Sequence, residues 1–312
     1  LKIDGPLGGQ PVELWGYRCN NMLMSPAVTE RLINNLDNLA EHGINLISVS
    51  LQGTNGGFPD ADAGPKAFRS DGMIIPAFAD RLERLIREAD ERGMVVPVVV
   101  LQPCKDQTVK GEMGVRRAIE ETGRLLTGHG LKNVMVNLYQ EFDHSLRVDH
   151  EVFREPDGAA NKAEVTGWFK AEAPDIEAGI CPNYKSGSSP DYPGVDVRFF
   201  HESMPAPESG FAVNTEAEAF DSYGDEGIFN EHSKALMAEI WSSYLGEPRT
   251  AMLLQSPYVE GISGATLTGP NPEMGGDGTG VKDRGVRFFF DWMREHVGRW
   301  EYPAHVPPTG SS

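Results

Sequence analysis

The sequence predicts an α/β protein with a (β/α)₈ TIM barrel, built by residues 1–312 as one domain. Three observations carry this. Eight segments have strand character, most are separated by helical segments, and the 312 residues match the size of eight such units. Strands that alternate with helices imply a parallel sheet. A doubly wound open sheet is the competing arrangement, but no G-x-G-x-x-G or Walker sequence follows any strand. For the same reason no cofactor is expected.

The first strand signal is "VELWGYRCNN", Val12–Asn21. "SPAVTERLINNLDNLAEHG" follows, with Ser25 as N-cap, Pro26 in the first helical position and Gly43 as stop. Leu32, Leu36 and Leu39 make its apolar stripe. "INLISVSLQG", Ile44–Gly53, is rich in β-branched residues and reads as the second strand. After a loop rich in Gly, Pro and Asp (Thr54–Gly72), "PAFADRLERLIREADERG" is strongly amphipathic. "MVVPVVVLQP", Met94–Pro103, is almost continuously apolar, as a strand buried on both faces should be.

A helix over roughly Gly114–Thr127 precedes the fourth strand, "KNVMVNLYQEF", Lys132–Phe142. A helix near Lys162–Ala173 leads to "AGICPNY", Ala178–Tyr184. "VDVRFFHE" and "FAVNTEAEAF" supply the sixth and seventh strands. "NEHSKALMAEIWSSYLG" is helical, with Met237, Trp241 and Leu245 at core spacing. "RTAMLLQSP" is the eighth strand, and Val281–Gly298 the last helix. Between strands 5, 6 and 7 the chain has only "YKSGSSPDYPG" and "SMPAPESG", so the helices there are expected to be reduced.

Net charge is −18, from 28 basic and 46 acidic residues. Such a field repels nucleic acid and anionic membrane surfaces, so neither is an expected partner. No apolar run approaches the ~20 residues of a membrane span. Leu1 is not a natural start, which leaves room for a trimmed leader and a secreted or periplasmic location. Cys19, Cys104 and Cys181 fit no zinc spacing, and their odd number argues against a closed disulfide framework.

Barrel chemistry sits at the C-terminal ends of strands. Taken in order, those ends offer Arg18 and Asn20; Gln52; Gln102; Asn137, Tyr139, Gln140 and Glu141; Asn183 and Tyr184; His201 and Glu202; Asn214, Glu216 and Glu218; and Gln255. Amides bond hydroxyls as donor and acceptor, and aromatic faces stack on sugar C–H surfaces. The set therefore suits a carbohydrate.

Glu141 and Glu216 are the sharpest pair. Cleaving a glycosidic bond needs two carboxyl groups, one protonating the leaving oxygen and one attacking carbon or activating water. Alternation along a strand puts Asn137, Tyr139 and Glu141 on one face, and Asn214, Glu216 and Glu218 on another. Parity does not separate Glu216 from Glu218. Glu216 is preferred because it directly follows the apolar segment. A metal-dependent barrel hydrolase would need a His-x-His on an early strand, and none of the eight histidines forms one; no metal is expected. "DADAG", Asp60–Gly64, lacks the spacing of a calcium loop.

"LKIDGPLGGQPVELWGYRCNN", "LAEHGINLISVSL" and "ADERGMVVPVVVLQP" resemble the opening strand, the helix 1 to strand 2 passage and the strand 3 unit of clan A glycoside hydrolases. The chain is similar to the cellulase-like glycoside hydrolase family 5. That resemblance implies an acid/base Glu at the end of strand 4 and a nucleophilic Glu at the end of strand 7. The matching positions are Glu141 in "NLYQE" and Glu216 in "VNTE". It implies a retaining, double-displacement glycosidase. Two departures mark a divergent member: Gln140 stands where the clan has Asn, and Gln255 where strand 8 brings a Trp.

Overall fold

The computed structural model of the chain describes residues 12–53, 66–103, 105–144, 150–153, 158–183, 186–202, 204, 206–217, 231–255 and 284–302. Its eight strands are β1 (Trp15–Arg18), β2 (Leu46–Ser50), β3 (Val96–Leu101), β4 (Val134–Tyr139), β5 (Glu177–Gly179), β6 (Val197–Phe200), β7 (Phe211–Asn214) and β8 (Thr250–Leu254). They form one sheet in the order β5-β4-β3-β2-β1-β8-β7-β6, and the ladders are parallel. This is the expected (β/α)₈ barrel.

Closure at the β5–β6 seam rests on few bonds. Asp196 N donates to Ala178 O at 2.8 Å, and Asp196 Oδ2 accepts from Ala178 N at 3.2 Å. One aspartate thus supplies a rung where no ladder forms. Gly179 lets the strands approach: a Cβ there would lie 1.8 Å from Val197 O.

The helices are α1 (Pro26–Glu41), α2 (Pro76–Asp90), α3 (Gly111–Gly128), α4 (Gly158–Glu172), α5 (Glu231–Ser242) and α6 (Arg284–His296). Ser25 caps α1, its Oγ accepting from Val28 N at 3.4 Å, and Pro26 follows in the first turn, where it needs no N–H partner. Leu32, Leu36 and Leu39 are fully buried, each contributing ~1.5–3 kcal/mol. Among the described residues no helix joins β5 to β6 or β6 to β7. The shortness of the strands explains why little chain is needed. A four-residue strand spans ~13 Å, and the ten residues after β6 can stretch well beyond that.

Side chains sort into two apolar layers. Leu14, Leu46, Val95, Met135, Val197, Phe199, Val213, Ala251 and Leu253 belong to a compact cluster that fills the barrel. A larger cluster lies between strands and helices and includes Leu36, Leu82, Val98, Ile119, Val136 and Phe289. Trp241 belongs to the outer layer, with ring centroids 5.0 Å from Phe289 and 5.4 Å from Trp292, and its Nε1 donates to Ala217 O at 3.2 Å. Met237 is buried beside it, but Leu245 is 38% exposed, because α5 ends at Ser242.

Candidate active site

β4 ends at Tyr139, and Glu141 stands just past it with φ of 52°. A left-handed backbone is costly for a residue with a Cβ, roughly 1–3 kcal/mol, and such strain gathers at functional sites. Here it changes which way side chains point. Simple alternation would put Gln140 and Glu141 on opposite faces. Instead Gln140 reaches Asn137 and Thr215, while Glu141 Oε1 accepts from Asn183 Nδ2 at 2.6 Å. Glu202, after β6, has the same kind of backbone, with φ of 46°.

Glu216 follows β7 and is 6% exposed. Asn214 turns the chain there, its Oδ1 accepting from Glu216 N at 3.0 Å. Arg18, at the end of β1, donates from Nη1 to Glu216 Oε1 and to Gln255 Oε1 at 3.2 Å. Asn20, with its amide oxygen turned toward Arg18, accepts from Nε at 3.2 Å and from Nη2 at 3.1 Å. The guanidinium is thus held by groups from three strand ends.

His201 lies between the carboxylates. Its Nε2 is 3.0 Å from Glu216 Oε2 and 3.3 Å from Glu141 Oε1, and its Nδ1 is 3.8 Å from Glu202 Oε1. Burial pushes the imidazole pKa down, but the facing Glu216, Glu141 and Glu202 outweigh it and hold it above the ordinary value. Burial likewise pushes the Glu216 carboxyl up. The His201 and Arg18 charges prevail and lower it to about 2, so Glu216 is ionised at neutral pH.

The other expected residues divide. Asn183, His201, Arg18, Asn20 and Gln255 join one polar network with the two glutamates, while Asn137 and Gln140 form a second group with Thr215. Gln52 stands apart: its Nε2 donates to Lys105 O at 3.2 Å and its Oε1 accepts from Gln102 N at 3.2 Å. Its amide ties β2 to the chain after β3. Gln102 keeps a buried Nε2 with no partner among the described residues. Tyr139 is fully buried, its ring 4.5 Å from Phe153. Tyr184 and Glu218 lie outside the described residues, as do Cys104, Asp60–Gly64 and most of the long rim loops.

Sequence reading missed Thr215 and Asp143. Thr215 Oγ1 receives Gln140 Nε2, and Asp143 Oδ1 accepts from Asn183 N at 2.7 Å, orienting the amide that holds Glu141. Strand parity sets Thr215 opposite Glu216; only the fold shows that it follows the inward Val213 on the same face. Cys19 and Cys181 are buried thiols outside any disulfide, and burial raises the Cys181 thiol well above its ordinary value. His201, Glu202 and Glu216 could present ligand atoms to a cation, all within 4.8 Å of one another. Arg18 already places a positive charge on Glu216 there.

No family model and no curated protein matches the sequence. Solved structures do match in shape. An endo-1,4-beta-mannanase from Rhizomucor miehei aligns with TM-score 0.54 at 11% identity, over 94% of this chain and 99% of that one. What this chain shares with it is the (β/α)₈ barrel. A GH5_18 variant from Streptomyces cattleya, solved in complex with Manb1-4GlcNAc, gives TM-score 0.57 at 14% identity, over 95% and 83%. A glycoside hydrolase family 5 structure from Bacteroides vulgatus gives 0.54 at 11%, over 84% of this chain; this chain spans 63% of its length. Among the described residues no helix is long and apolar enough to cross a membrane.

Proposed function

We propose that the chain is a retaining glycoside hydrolase, a single catalytic domain that cleaves an oligo- or polysaccharide by double displacement. The observation that carries the reading is His201 Nε2, which lies within 3.3 Å of an oxygen of each carboxylate. Those two oxygens can be no further apart than the two contact distances laid end to end. That bound brings one oxygen of each carboxylate within reach of a single glycosidic bond, which accords with the closer pairing of retaining enzymes.

The roles follow from the surroundings. Glu216, held ionised by Arg18 and His201, is the nucleophile. Its oxygen bonds the anomeric carbon as the bond to the leaving oxygen breaks, and Glu141 gives its proton to that oxygen. In the second step water attacks the same carbon, its proton passes to Glu141, and Glu216 leaves. Arg18 and His201 then receive a carboxylate whose charge returns. Asn183 keeps Glu141 aimed. The mannanase and the Manb1-4GlcNAc complex among the structural neighbours put aryl β-mannosides and β-glucosides first in the substrate panel.

The test is chemical. Glu216→Gly should lose ~10⁴-fold or more in kcat/KM, and azide should restore turnover by forming a glycosyl azide of inverted configuration. Glu141→Ala should slow poor leaving groups most and 2,4-dinitrophenyl glycosides least. Full activity in either variant removes that residue from the mechanism.

A further inference from the structure

Gln140 occupies the position where the family resemblance implies an amide facing the sugar 2-hydroxyl. Its surroundings bury that amide and engage both its oxygen and its nitrogen within the protein. The side chain is 3% exposed. Its Oε1 accepts from Asn137 Nδ2 at 2.8 Å, and its Nε2 donates to Thr215 Oγ1 at 2.9 Å. Thr215 Oγ1 in turn donates to Phe200 O at 3.1 Å, and Gln140 N donates to Leu101 O at 3.1 Å.

The topology makes this chain of bonds unusual. β4 and β7 share no ladder and stand five places apart along the sheet order, or three through the β5–β6 seam. The Gln140–Thr215 bond crosses the barrel mouth between them. It joins the residue before Glu141 to the residue before Glu216. An asparagine, one methylene shorter, would not span the same gap from the same backbone. The left-handed conformation of Glu141 is what lets Gln140 turn inward while Glu141 faces Asn183 and His201.

We infer that Gln140 is a positioning residue: with Thr215 it forms a cross-barrel tether that sets the spacing of the two carboxylates, and it does not read the sugar's 2-position. This rests on Glu141 and Glu216 being the reacting pair. The physical reason is leverage. β5–β6–β7 has short strands and a seam with few rungs, so ladders alone hold the Glu216 side loosely against β4. A displacement of ~1 Å between reacting groups can cost ~100-fold in rate, and a buried amide bonded at both its oxygen and its nitrogen resists that displacement.

The experiment uses the whole chain and two probes, 2,4-dinitrophenyl β-D-glucoside and its 2-deoxy analogue, with the β-D-mannoside as a third. Gln140→Leu, Gln140→Asn and Thr215→Val should each lower kcat by about 10–100-fold with KM within about threefold. The ratio of kcat/KM between hydroxylated and 2-deoxy probes should stay as in the parent protein. A ratio that collapses in Gln140→Leu but not in Thr215→Val would overturn the inference, because it makes Gln140 a 2-hydroxyl contact. Thermal melting provides an arm independent of turnover. Gln140→Leu and Thr215→Val combined should lower Tm by clearly less than their separate shifts together; additive shifts rule out the tether. A parent protein inactive on all three glycosides and on β-linked oligo- and polysaccharides defeats the glycosidase reading, while the melting arm still decides the tether.

Discussion

The two sides of the barrel are built differently. β2, β3 and β4 are five or six residues long and buried throughout, and helices of 15 to 18 residues cover them. Ion pairs lace that cover together, among them Arg84–Glu30 at 2.6 Å and Arg124–Glu172 at 3.1 Å, although exposed pairs of this kind each add little. β5, β6 and β7 have three or four residues and no helices between them among the described residues. The sturdy side carries Glu141; the thin side carries His201 and Glu216. The lesson is that the thin side is located by buried polar contacts more than by packing. Arg18 reaches it from β1, the Gln140–Thr215 bond ties it to the end of β4, and His201 links it to Glu141.

One methyl group added to each side should separate the two most clearly. Gly16 and Gly179 both face a neighbouring carbonyl at very short range: an added Cβ would lie 1.9 Å from Leu46 O or 1.8 Å from Val197 O. Gly16 sits in the β1–β2 ladder, which cannot widen without losing rungs. Gly16→Ala should therefore cost at or above the top of the ~1–3 kcal/mol usual for overpacking. Gly179 sits at the seam, which can part. Gly179→Ala should cost less stability yet reduce kcat more, since opening the seam moves Asn183 away from His201. Urea unfolding and turnover on the same preparations decide it. Equal stability losses, with Gly179→Ala fully active, would erase the distinction.

Acid should attack the thin side first. Glu216 is lowered from 4.5 to about 2. Its contribution is present above pH 4.5 and is lost as pH falls toward 2, on the order of 3 kcal/mol in all. His201 has the opposite sign: raised above 6.5, it stabilises fully below that pH and its contribution is lost as pH rises through its folded value. Hydrogen exchange should show amides of β6 and β7 losing protection before those of β2–β4 as pH drops from 5 to about 2. Glu216→Gln should remove most of that early loss. Protection lost evenly around the barrel would contradict the division.

The smallest effect tests the sturdy side alone. Ser25→Ala removes the side-chain cap of α1 and should cost ~1 kcal/mol, read as a shift in Tm. Activity per folded molecule should be unchanged. A fall in kcat there would mean that α1 and the site are mechanically coupled.

Much of this architecture was legible without coordinates. Leu32, Leu36 and Leu39 mark a helix face because their spacing repeats every turn, and Ser25–Pro26 starts it because those residues suit an N-terminus. "MVVPVVVL" is a strand buried on both sides because nothing in it is polar. The scarcity of helix between strands 5 and 7 was visible in the turn residues. Both carboxylates could be placed at strand ends for the same reason: apolar periodicity stops just before them.

What the tertiary structure decided is which polar groups meet. Arg18 and Glu216 are 198 residues apart in sequence, and Gln140 and Thr215 are 75 apart, so no local pattern pairs them. Strand parity suggested that Glu141 shares a face with Asn137, but it is Gln140 that bonds Asn137. A single left-handed residue reset the alternation, and its sequence carries no glycine to announce it. Local propensity and hydrophobic period act over a few residues and therefore determine elements. Hydrogen bonds across a barrel mouth depend on closure of the whole sheet, and only the folded chain brings their donors and acceptors within reach.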